Sequence, residues 1–305
     1  MAFGKKTALK GYGIRDRRVV VEVTARILMR FFLLFAAFIS LYPFLYVFSM
    51  SLSAPEHVLL RDVYMLPKGL GLEGYKLAIE NPSFWRSYYN TIWYTVVGTC
   101  LNVVMTVLAA YPLSRDNFIL RRLLSILITI TMFVSGGMIP FFIIISRLGL
   151  YNMRLSLIFP FAVSAWNIII ARTFYSQIPD SLSEAAKIDG ANEFQILLRI
   201  MLPLSKAILA VIALFCAVGY WNSYFWALVL IRDADIQPLQ IYLYKILIQL
   251  REDAMGGMQI SISRTAATEQ LKYAAIIISI LPILAVYPLL QKHFVKGVMI
   301  GAVKE

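Results

Sequence analysis

The sequence contains few residues that could support catalysis, haem ligation or nucleotide binding. It has two cysteines and two histidines in 305 residues. Cys100 and Cys216 fall in separate apolar segments, so we interpret them as packing residues rather than as a disulfide. His57 and His293 lie outside those segments, which argues against paired haem ligands in a membrane. The stretch Gly4-Lys5-Lys6-Thr7 lacks the earlier glycine and the preceding strand of a phosphate-binding loop, so no nucleotide site is predicted.

Charged residues are also missing from the long apolar segments. A composition that is 60% hydrophobic, with a mean hydropathy of +0.72, indicates a polytopic membrane protein without a soluble core domain. Apart from Arg172, which closes the fourth segment, the apolar segments contain no Asp, Glu, Lys, Arg or His. Ion-coupled carriers usually need such a residue at membrane depth, so the energy for any active transport must enter through another chain. We predict spans at 31–52, 91–113, 123–146, 155–175, 207–231 and 273–291, each about as long as a bilayer is thick.

The distribution of basic residues predicts the orientation of these spans. The terminal segments, residues 114–122 and residues 172–206 contain 18 of the 29 Lys and Arg, and the other loops contain 11. By the positive-inside rule both termini are cytoplasmic, in a bacterial plasma membrane, and topology rather than nucleic acid explains the net charge of +12. The basic N-terminus could also contact anionic membrane lipid. The predicted parts are an N-terminal segment 1–30, a six-helix domain 31–291 with a coupling loop 176–206 and an outer loop 232–272, and a C-terminal tail 292–305.

The coupling loop has the pattern of two short helices joined at a glycine. Pro179-Asp180-Ser181-Leu182-Ser183-Glu184 predicts a helix start with Ser181 as the N-cap and Glu184 completing a capping box. Gly190 suits the left-handed position that follows a helix. In the second helix we predict one apolar face and a turn into the fifth span at Pro203. That face would consist of Phe194, Leu197, Leu198 and Met201.

These residues carry a family resemblance. Glu184-Ala185-Ala186, Asp189-Gly190-Ala191 and Ile200, Leu202 and Pro203 resemble the EAA loop of ATP-binding-cassette importer permeases. The resemblance implies an all-α membrane protein with six transmembrane helices and the type I ABC importer permease fold. It also implies that this loop docks into a groove on a cytoplasmic ATPase subunit. Glu184 could also simply cap its helix, in addition to docking on the ATPase. Gly190 is required by backbone geometry whether or not the loop docks.

Further motifs resemble the carbohydrate branch of the family, particularly permeases for oligosaccharides. They are Tyr111-Pro112-Leu113-Ser114-Arg115, Ser135-Gly136-Gly137-Met138-Ile139-Pro140, Ala171-Arg172-Thr173-Phe174-Tyr175 and Gly219-Tyr220-Trp221-Asn222-Ser223. The Gly136-Gly137 pair is either a tolerated kink or a point where a helix facing a pathway bends.

Five residues are candidates for the substrate pathway. Asn102 and Asn167 fall near the middle of the second and fourth spans, where amides bond neighbouring helices more often than they bind cargo. Trp221, Asn222 and Trp226 lie in the outer third of the fifth span, where aromatic residues commonly form an interface belt. At helical spacing Asn222 shares a face with Trp226 but not with Trp221. An amide beside an aromatic ring suits a sugar, which needs both hydrogen bonds and ring packing.

We therefore expect a non-catalytic permease subunit of an ATP-driven, binding-protein-dependent importer for an oligosaccharide or related sugar. The alternatives are an importer permease for a non-sugar solute, a secondary carrier, or a structural or enzymatic membrane subunit. The resemblance implies a homologous second permease, two ABC ATPase subunits that hold ATP and Mg²⁺, and an extracytoplasmic solute-binding lipoprotein, with no cofactor bound by this chain. The outer loop, which includes Gln237-Pro238-Leu239-Gln240 and Gly256-Gly257, is either a docking surface for the binding protein or a solvated connector.

Overall fold

The described part of the chain is helical almost throughout. The computed structural model describes residues 12–255 and 262–301. Within these ranges short 3₁₀ or π turns and one isolated bridge between Ser53 and Leu70 supplement the α-helices. The helices are α1 Tyr12–Leu52, α2 Pro55–Leu60, α3 Glu73–Glu80, α4 Pro82–Ser114, α5 Arg121–Phe133, α6 Met138–Arg147, α7 Ala165–Tyr175, α8 Asp180–Ile188, α9 Glu193–Ile196, α10 Leu202–Leu204, α11 Lys206–Trp221, α12 Phe225–Leu230, α13 Leu239–Met255 and α14 Ile262–Gly301.

The apolar helices agree with six spans. Three stretches are long and apolar enough to cross a membrane unbroken, namely Val21–Leu52, Pro82–Ser114 and Ala266–Ala285. Three further candidates are bent pairs, and counting each pair as one span gives six among the described residues. The pairs are Arg121–Phe133 with Met138–Arg147, bent by 118°, Arg154–Phe161 with Ala165–Tyr175, bent by 44°, and Glu193–Leu204 with Lys206–Trp221, bent by 81°.

The third predicted span breaks at its glycines. Residues 134–137 are not helical, and Gly137 has a φ of +80°, a backbone conformation that side chains with a Cβ rarely adopt. Pro140 follows in the first turn of α6, where its missing N–H is not needed by the helix. The weak point predicted at Gly136-Gly137 is confirmed as a sharp bend.

The fifth span differs from the prediction at both ends. The chain bends at Ser205 rather than at Pro203, which lies inside α10. The Ser205 hydroxyl donates to the Met201 carbonyl oxygen at 2.6 Å, and such a local bond competes with regular helix geometry. At the other end α11 stops at Trp221 and α12 starts at Phe225, so 207–231 is not one continuous helix.

The segment 232–272, predicted as a loop, is mostly helical in its described part. It contains a 3₁₀ turn at Ala234–Ile236, then α13, then the start of α14. Leu239 and Ile241 on α13 are fully buried, so this helix packs as part of the fold rather than as a solvated connector. Gly256 and Gly257 lie outside the described residues.

The chain divides into two compact units. The first consists of Met1–Gly74 with Ser261–Ala274. Its centre is Gln270, a fully buried residue whose side-chain Nε2 lies within 2.6 to 3.1 Å of the carbonyl oxygens of Ser51, Ser53 and Gly71. The Gln270 Oε1 accepts the Gly74 N–H at 2.9 Å. One amide thereby ties the segment that follows α1 to α14.

The second unit consists of Tyr75–Ile260 with Ala275–Glu305 and contains the candidate site. Its central helix is α4, which packs against α7, α11 and α13. Gly98 of α4 lies against Tyr220 of α11, where an added Cβ would be 2.5 Å from the tyrosine ring. Glycine at position 98 therefore allows the Tyr220 ring of α11 to pack directly against the backbone of α4.

Candidate functional site

The first part of the site is the coupling knob, by which we mean residues 180–204. Helix α8 begins at Asp180, two residues earlier than predicted, and no side chain caps it. Ser181 therefore lies inside the helix, and Glu184 lies too far along it to reach the free N–H groups of the first turn. The predicted capping box of Ser181 and Glu184 is wrong. Asp180 instead places a negative charge at the helix start, where the helix dipole favours it.

The capping box occurs at the second helix of the knob. Asn192 Oδ1 accepts the Gln195 N–H at 2.8 Å, and Gln195 Oε1 accepts the Asn192 N–H at 2.9 Å. This capping box was not predicted from the sequence. An Asn followed three residues later by Gln, just before an apolar run, was the signal that could have found it.

The connection between the two knob helices follows the prediction for Gly190. Its φ is +81°, its N–H bonds to the Lys187 carbonyl oxygen at 3.0 Å, and the Ala191 N–H bonds to the Ala186 carbonyl oxygen at 2.9 Å. Asp189 is the C-cap residue. This pair of bonds is the Schellman motif, which ends a helix at a left-handed residue.

The knob has one face in the core and one face exposed. Ile196, Leu197 and Met201 are buried, whereas Phe194 and Leu198 are exposed, so the predicted single apolar face is wrong. A π turn at Leu197–Met201 changes the number of residues per turn there, which a regular helical spacing does not anticipate. In the predicted docking motif Ala186, Ala191 and Leu202 are partly buried, and Glu184, Ala185, Asp189, Gly190 and Pro203 are exposed.

Polar contacts attach the knob to the end of α4. The Tyr111 hydroxyl donates to Glu193 Oε2 at 2.6 Å, and Lys187 pairs with Glu193 Oε1 at 2.7 Å. The Lys187 ammonium and then the Tyr111 hydroxyl hold the pKa of Glu193 below its ordinary value. Arg115 pairs with Asp180 at 3.2 Å and lies over the Tyr111 ring. Each knob helix is therefore held near its first residue.

The second part of the site is a cavity of about 480 Å³. Four predicted pathway residues line it, namely Asn102, Asn167, Asn222 and Trp226. Trp221 does not line it, because its indole N–H donates to the Ser279 carbonyl oxygen at 3.1 Å and its ring packs edge-on against Tyr88. Trp221 is therefore not part of this cavity wall.

Three residues of the cavity wall bond to one another and are named here the amide cluster, namely Asn102, Asn167 and Cys216. Asn102 Oδ1 accepts from Asn167 Nδ2 at 3.1 Å and from the Cys216 thiol at 3.2 Å. Asn102 Nδ2 donates to the Phe161 carbonyl oxygen at 2.9 Å. The cluster joins α4, α7 and α11, which is the helix-bonding role predicted for Asn102 and Asn167. Both amides also line the cavity.

The aromatic part of the wall surrounds Trp226. The centroid of its ring lies 4.5 Å from the ring centroid of Phe141 and 5.9 Å from that of Phe161. Asn222, the residue that ends α11, donates from Nδ2 to the Val218 carbonyl oxygen at 2.9 Å and is exposed. The break after α11, rather than helical spacing, brings Asn222 and Trp226 to one cavity. Tyr220 and Trp221 are buried inside the protein, so an interface belt does not describe them.

In the part of the chain that the structure describes, no group of three His, Cys, Asp or Glu side chains could hold a metal ion. The cavity lining contains no Asp, Glu, Lys, Arg or His in that part. Its polar groups are amides, hydroxyls and a thiol. Such a wall can exchange hydrogen bonds with a polar solute and pack against its apolar faces.

Comparison with known proteins gives consistent relatives. The chain is 42% identical to Protein LplC of Bacillus subtilis (strain 168) over 267 residues, which cover 87% of this chain and 90% of that protein. It is 39% identical to the polygalacturonan/rhamnogalacturonan transport system permease protein YtcP of the same organism, covering 90% of this chain and 96% of that one. Among solved structures, a chain of a bacterial ABC transporter involved in the import of the acidic polysaccharide alginate superposes with a TM-score of 0.80. That chain is 40% identical, and the match covers 92% of this chain and 98% of that one.

A family model, described as binding-protein-dependent transport system inner membrane component, matches residues 102–300. The match includes the coupling knob and most of the cavity wall. The helical architecture and the similar solved structure agree that the chain is a multi-pass, all-α membrane protein with the type I ABC importer permease fold. The chain therefore belongs to the family of binding-protein-dependent transport system inner membrane components.

Proposed function

We propose that this chain is the permease subunit of an ATP-driven, binding-protein-dependent importer and forms part of the pathway for an oligosaccharide or related sugar. The observation that carries the proposal is the uncharged cavity, in which the Asn222 amide and the Trp226 ring share one wall. Sugars present hydroxyl groups and flat C–H faces, and amides and aromatic rings are complementary to these two surfaces.

Oligosaccharides that contain uronic acids are the first candidates. One relative is named for polygalacturonan and rhamnogalacturonan, and the similar solved structure belongs to an importer of the acidic polysaccharide alginate. A cavity of about 480 Å³ falls in the range of sites that enclose a small molecule, so this chain would hold only part of a longer sugar at one time.

The coupling knob is the proposed site of energy input. Its exposed side includes Glu184, Ala185 and the apolar side chain of Ile188, which is 87% exposed. Within the described residues the Glu184 carboxylate has no hydrogen-bond or ion-pair partner, so it is free to bind a group of a partner protein. We propose that two cytoplasmic ABC ATPase subunits, which bind ATP and Mg²⁺, dock here and on a homologous second permease, with both termini of this chain on the same side. An extracytoplasmic solute-binding protein would deliver the sugar, and this chain itself would neither bind a cofactor nor hydrolyse ATP.

Uptake in whole cells tests the proposal. Deletion of this chain from its source bacterium should abolish uptake of labelled oligogalacturonate or oligo-alginate, and restoring the chain should recover it. Uptake should fail on ATP depletion and survive an ionophore. Uptake that an ionophore abolishes while ATP depletion has no effect would assign a secondary carrier instead. Unchanged uptake of acidic and neutral oligosaccharides in the deletion strain would overturn the sugar assignment.

A further inference from the structure

The end of α4 holds the coupling knob by two separate bonds. The Tyr111 hydroxyl bonds to Glu193, the first residue of α9, and the Arg115 guanidinium pairs with Asp180, the first residue of α8. Both donors belong to the motif Tyr111-Pro112-Leu113-Ser114-Arg115, to which the proposed function assigns no role. The motif therefore contacts both helices of the knob from one side.

The bond between Tyr111 and Glu193 is of a strong type. It joins a hydroxyl to a carboxylate at 2.6 Å and is partly buried. Lys187, at 2.7 Å from the other carboxylate oxygen, favours the ionised form of Glu193 and thus the acceptor that Tyr111 needs. By contrast Asp180 is largely exposed, so the ion pair with Arg115 is screened by water. Of the two bonds, that of Tyr111 holds the knob more firmly.

The same helix reaches the cavity. Asn102 lies nine residues before Tyr111 on α4, which corresponds to roughly 14 Å along the helix axis. Asn102 is the acceptor of the amide cluster, which bonds α7 and α11. A displacement of α4 at Tyr111 would therefore change the bonds at the cavity wall without passing through a loop.

We infer that Tyr111 is a positioning residue for transport, whose hydroxyl fixes α9 to α4 so that movement of the coupling knob moves the amide cluster. This inference rests on the proposed function, since it names the residue through which the proposed ATPase motion reaches the cavity. The expected effect is on coupling rather than on binding, because Tyr111 does not line the cavity.

The chain offers a matched control for a role in packing alone. The ring of Tyr175 lies edge-on to Tyr111 with the centroids 6.4 Å apart, and both rings are buried in the same apolar cluster. Among the described residues the buried Tyr175 hydroxyl makes no hydrogen bond to residues 180–204. Tyr111→Phe and Tyr175→Phe thus each remove one buried hydroxyl at the same place, but only the first removes a bond to the knob.

The experiment measures a change at the cavity that does not depend on knowing the sugar. Cys216 lines the cavity, so its alkylation by a small maleimide, measured on the Cys216 peptide by mass spectrometry, reports on the wall. Inside-out membrane vesicles with the whole complex would be labelled with and without ATP and vanadate. We expect nucleotide to change the labelling rate in wild type and Tyr175→Phe. In Tyr111→Phe that change should shrink about tenfold, the size expected for losing a bond to a charged group. Glu193→Gln, which keeps an acceptor oxygen, should be intermediate.

Retention of the ATPase on purification would be measured in the same samples and should equal wild type in Tyr111→Phe. The inference is overturned if nucleotide does not alter Cys216 labelling in wild type, if Tyr111→Phe responds like wild type, or if Tyr175→Phe loses the response equally. If the wild-type chain takes up no oligosaccharide but the labelling results are as expected, the proposed substrate fails while the role of Tyr111 stands.

Discussion

The side-chain amide of Asn167 donates a hydrogen bond to the side-chain Oδ1 of Asn102 at 3.1 Å, and this bond joins α7 to α4 at the wall of the cavity. The same Asn102 oxygen also accepts a hydrogen bond from the Cys216 thiol of α11. Three helices therefore depend on one buried amide oxygen. A wall of this kind holds the helices together and presents polar groups to a solute, and separate substitutions can distinguish these two roles.

Replacement of Asn102 should reduce stability more than replacement of an exposed cavity amide. Asn102→Leu would remove the oxygen that accepts from the Asn167 amide and the Cys216 thiol, leaving the amide only the weakly accepting Cys216 sulfur. An unsatisfied buried polar group costs about 1–3 kcal/mol. The thermal unfolding temperature of the purified complex should fall by several degrees. The control is Asn222→Leu, whose bond is to its own helix and exposed. Equal unfolding temperatures for the two variants would contradict the assignment.

Asn222 should influence transport rather than assembly. Asn222→Leu removes an amide from the cavity, so we expect a lower uptake rate or a changed preference among oligosaccharides while the complex still purifies intact. Trp221→Phe is the matched control, because it removes an indole N–H bond outside the cavity. Uptake in cells of an acidic and a neutral oligosaccharide checks both variants. An unchanged preference after Asn222→Leu would leave Asn222 without a role in cargo recognition.

Gly98 should tolerate no side chain. A Cβ at this position would lie 2.5 Å from the Tyr220 ring, so Gly98→Ala forces apart α4 and α11 at a cost of about 1–3 kcal/mol. Gly219→Ala serves as the control, since no atom lies within 4 Å of its added Cβ. Thermal unfolding of the two purified complexes should show a fall only for the first. A similar fall in both would show that the contact with the Tyr220 ring is not the cause, because Gly→Ala in a helix is otherwise stabilising.

The coupling knob should respond differently to changes at Glu184 and Gly190. Glu184 makes no hydrogen bond or ion pair within the described residues, so Glu184→Ala should weaken ATPase retention without altering unfolding of this chain. Gly190→Val places a β-branched residue at a φ of +81°, which costs about 1–3 kcal/mol and distorts the connection between α8 and α9. Side-by-side pull-down and uptake would check this. Normal uptake with fully bound ATPase in both variants would reject the knob as the coupling site.

Acidification should weaken the attachment of the knob. The pKa of Glu193 is held below its ordinary value of 4.5 by Lys187 and Tyr111. A carboxyl group with a lowered pKa in the folded state contributes stability above its ordinary pKa, and this contribution disappears as the pH falls through the lowered value. The unfolding temperature of wild type should therefore fall further between pH 7 and pH 4 than that of Glu193→Gln. Parallel curves for the two proteins would show that Glu193 contributes no such stability.

The sequence by itself determined the membrane class, the number of candidate spans and the place of the coupling loop. Apolar segments as long as a bilayer is thick indicate membrane spans. The length and hydrophobicity of a segment depend only on its own residues. Gly190 and the Gly136-Gly137 pair were predictable for a similar reason, because a left-handed or broken backbone is a property of one or two residues. The resemblance of residues 184–203 to the EAA loop was equally local.

Only the tertiary structure decided which polar residues meet. Asn102, Asn167 and Cys216 are far apart in sequence, and Tyr111 and Glu193 come from separate helices, so their bonds depend on how α4 packs against its neighbours. Asn222 and Trp226 reach one cavity through the break at 222–224 rather than through a shared helical face, and such a break is set by packing. The cap at Ser181 was misplaced because a capping box is a pattern of residues, whereas the true helix start depends on backbone geometry that the pattern does not encode. Local rules thus located the elements, and packing between them built the cavity and attached the knob.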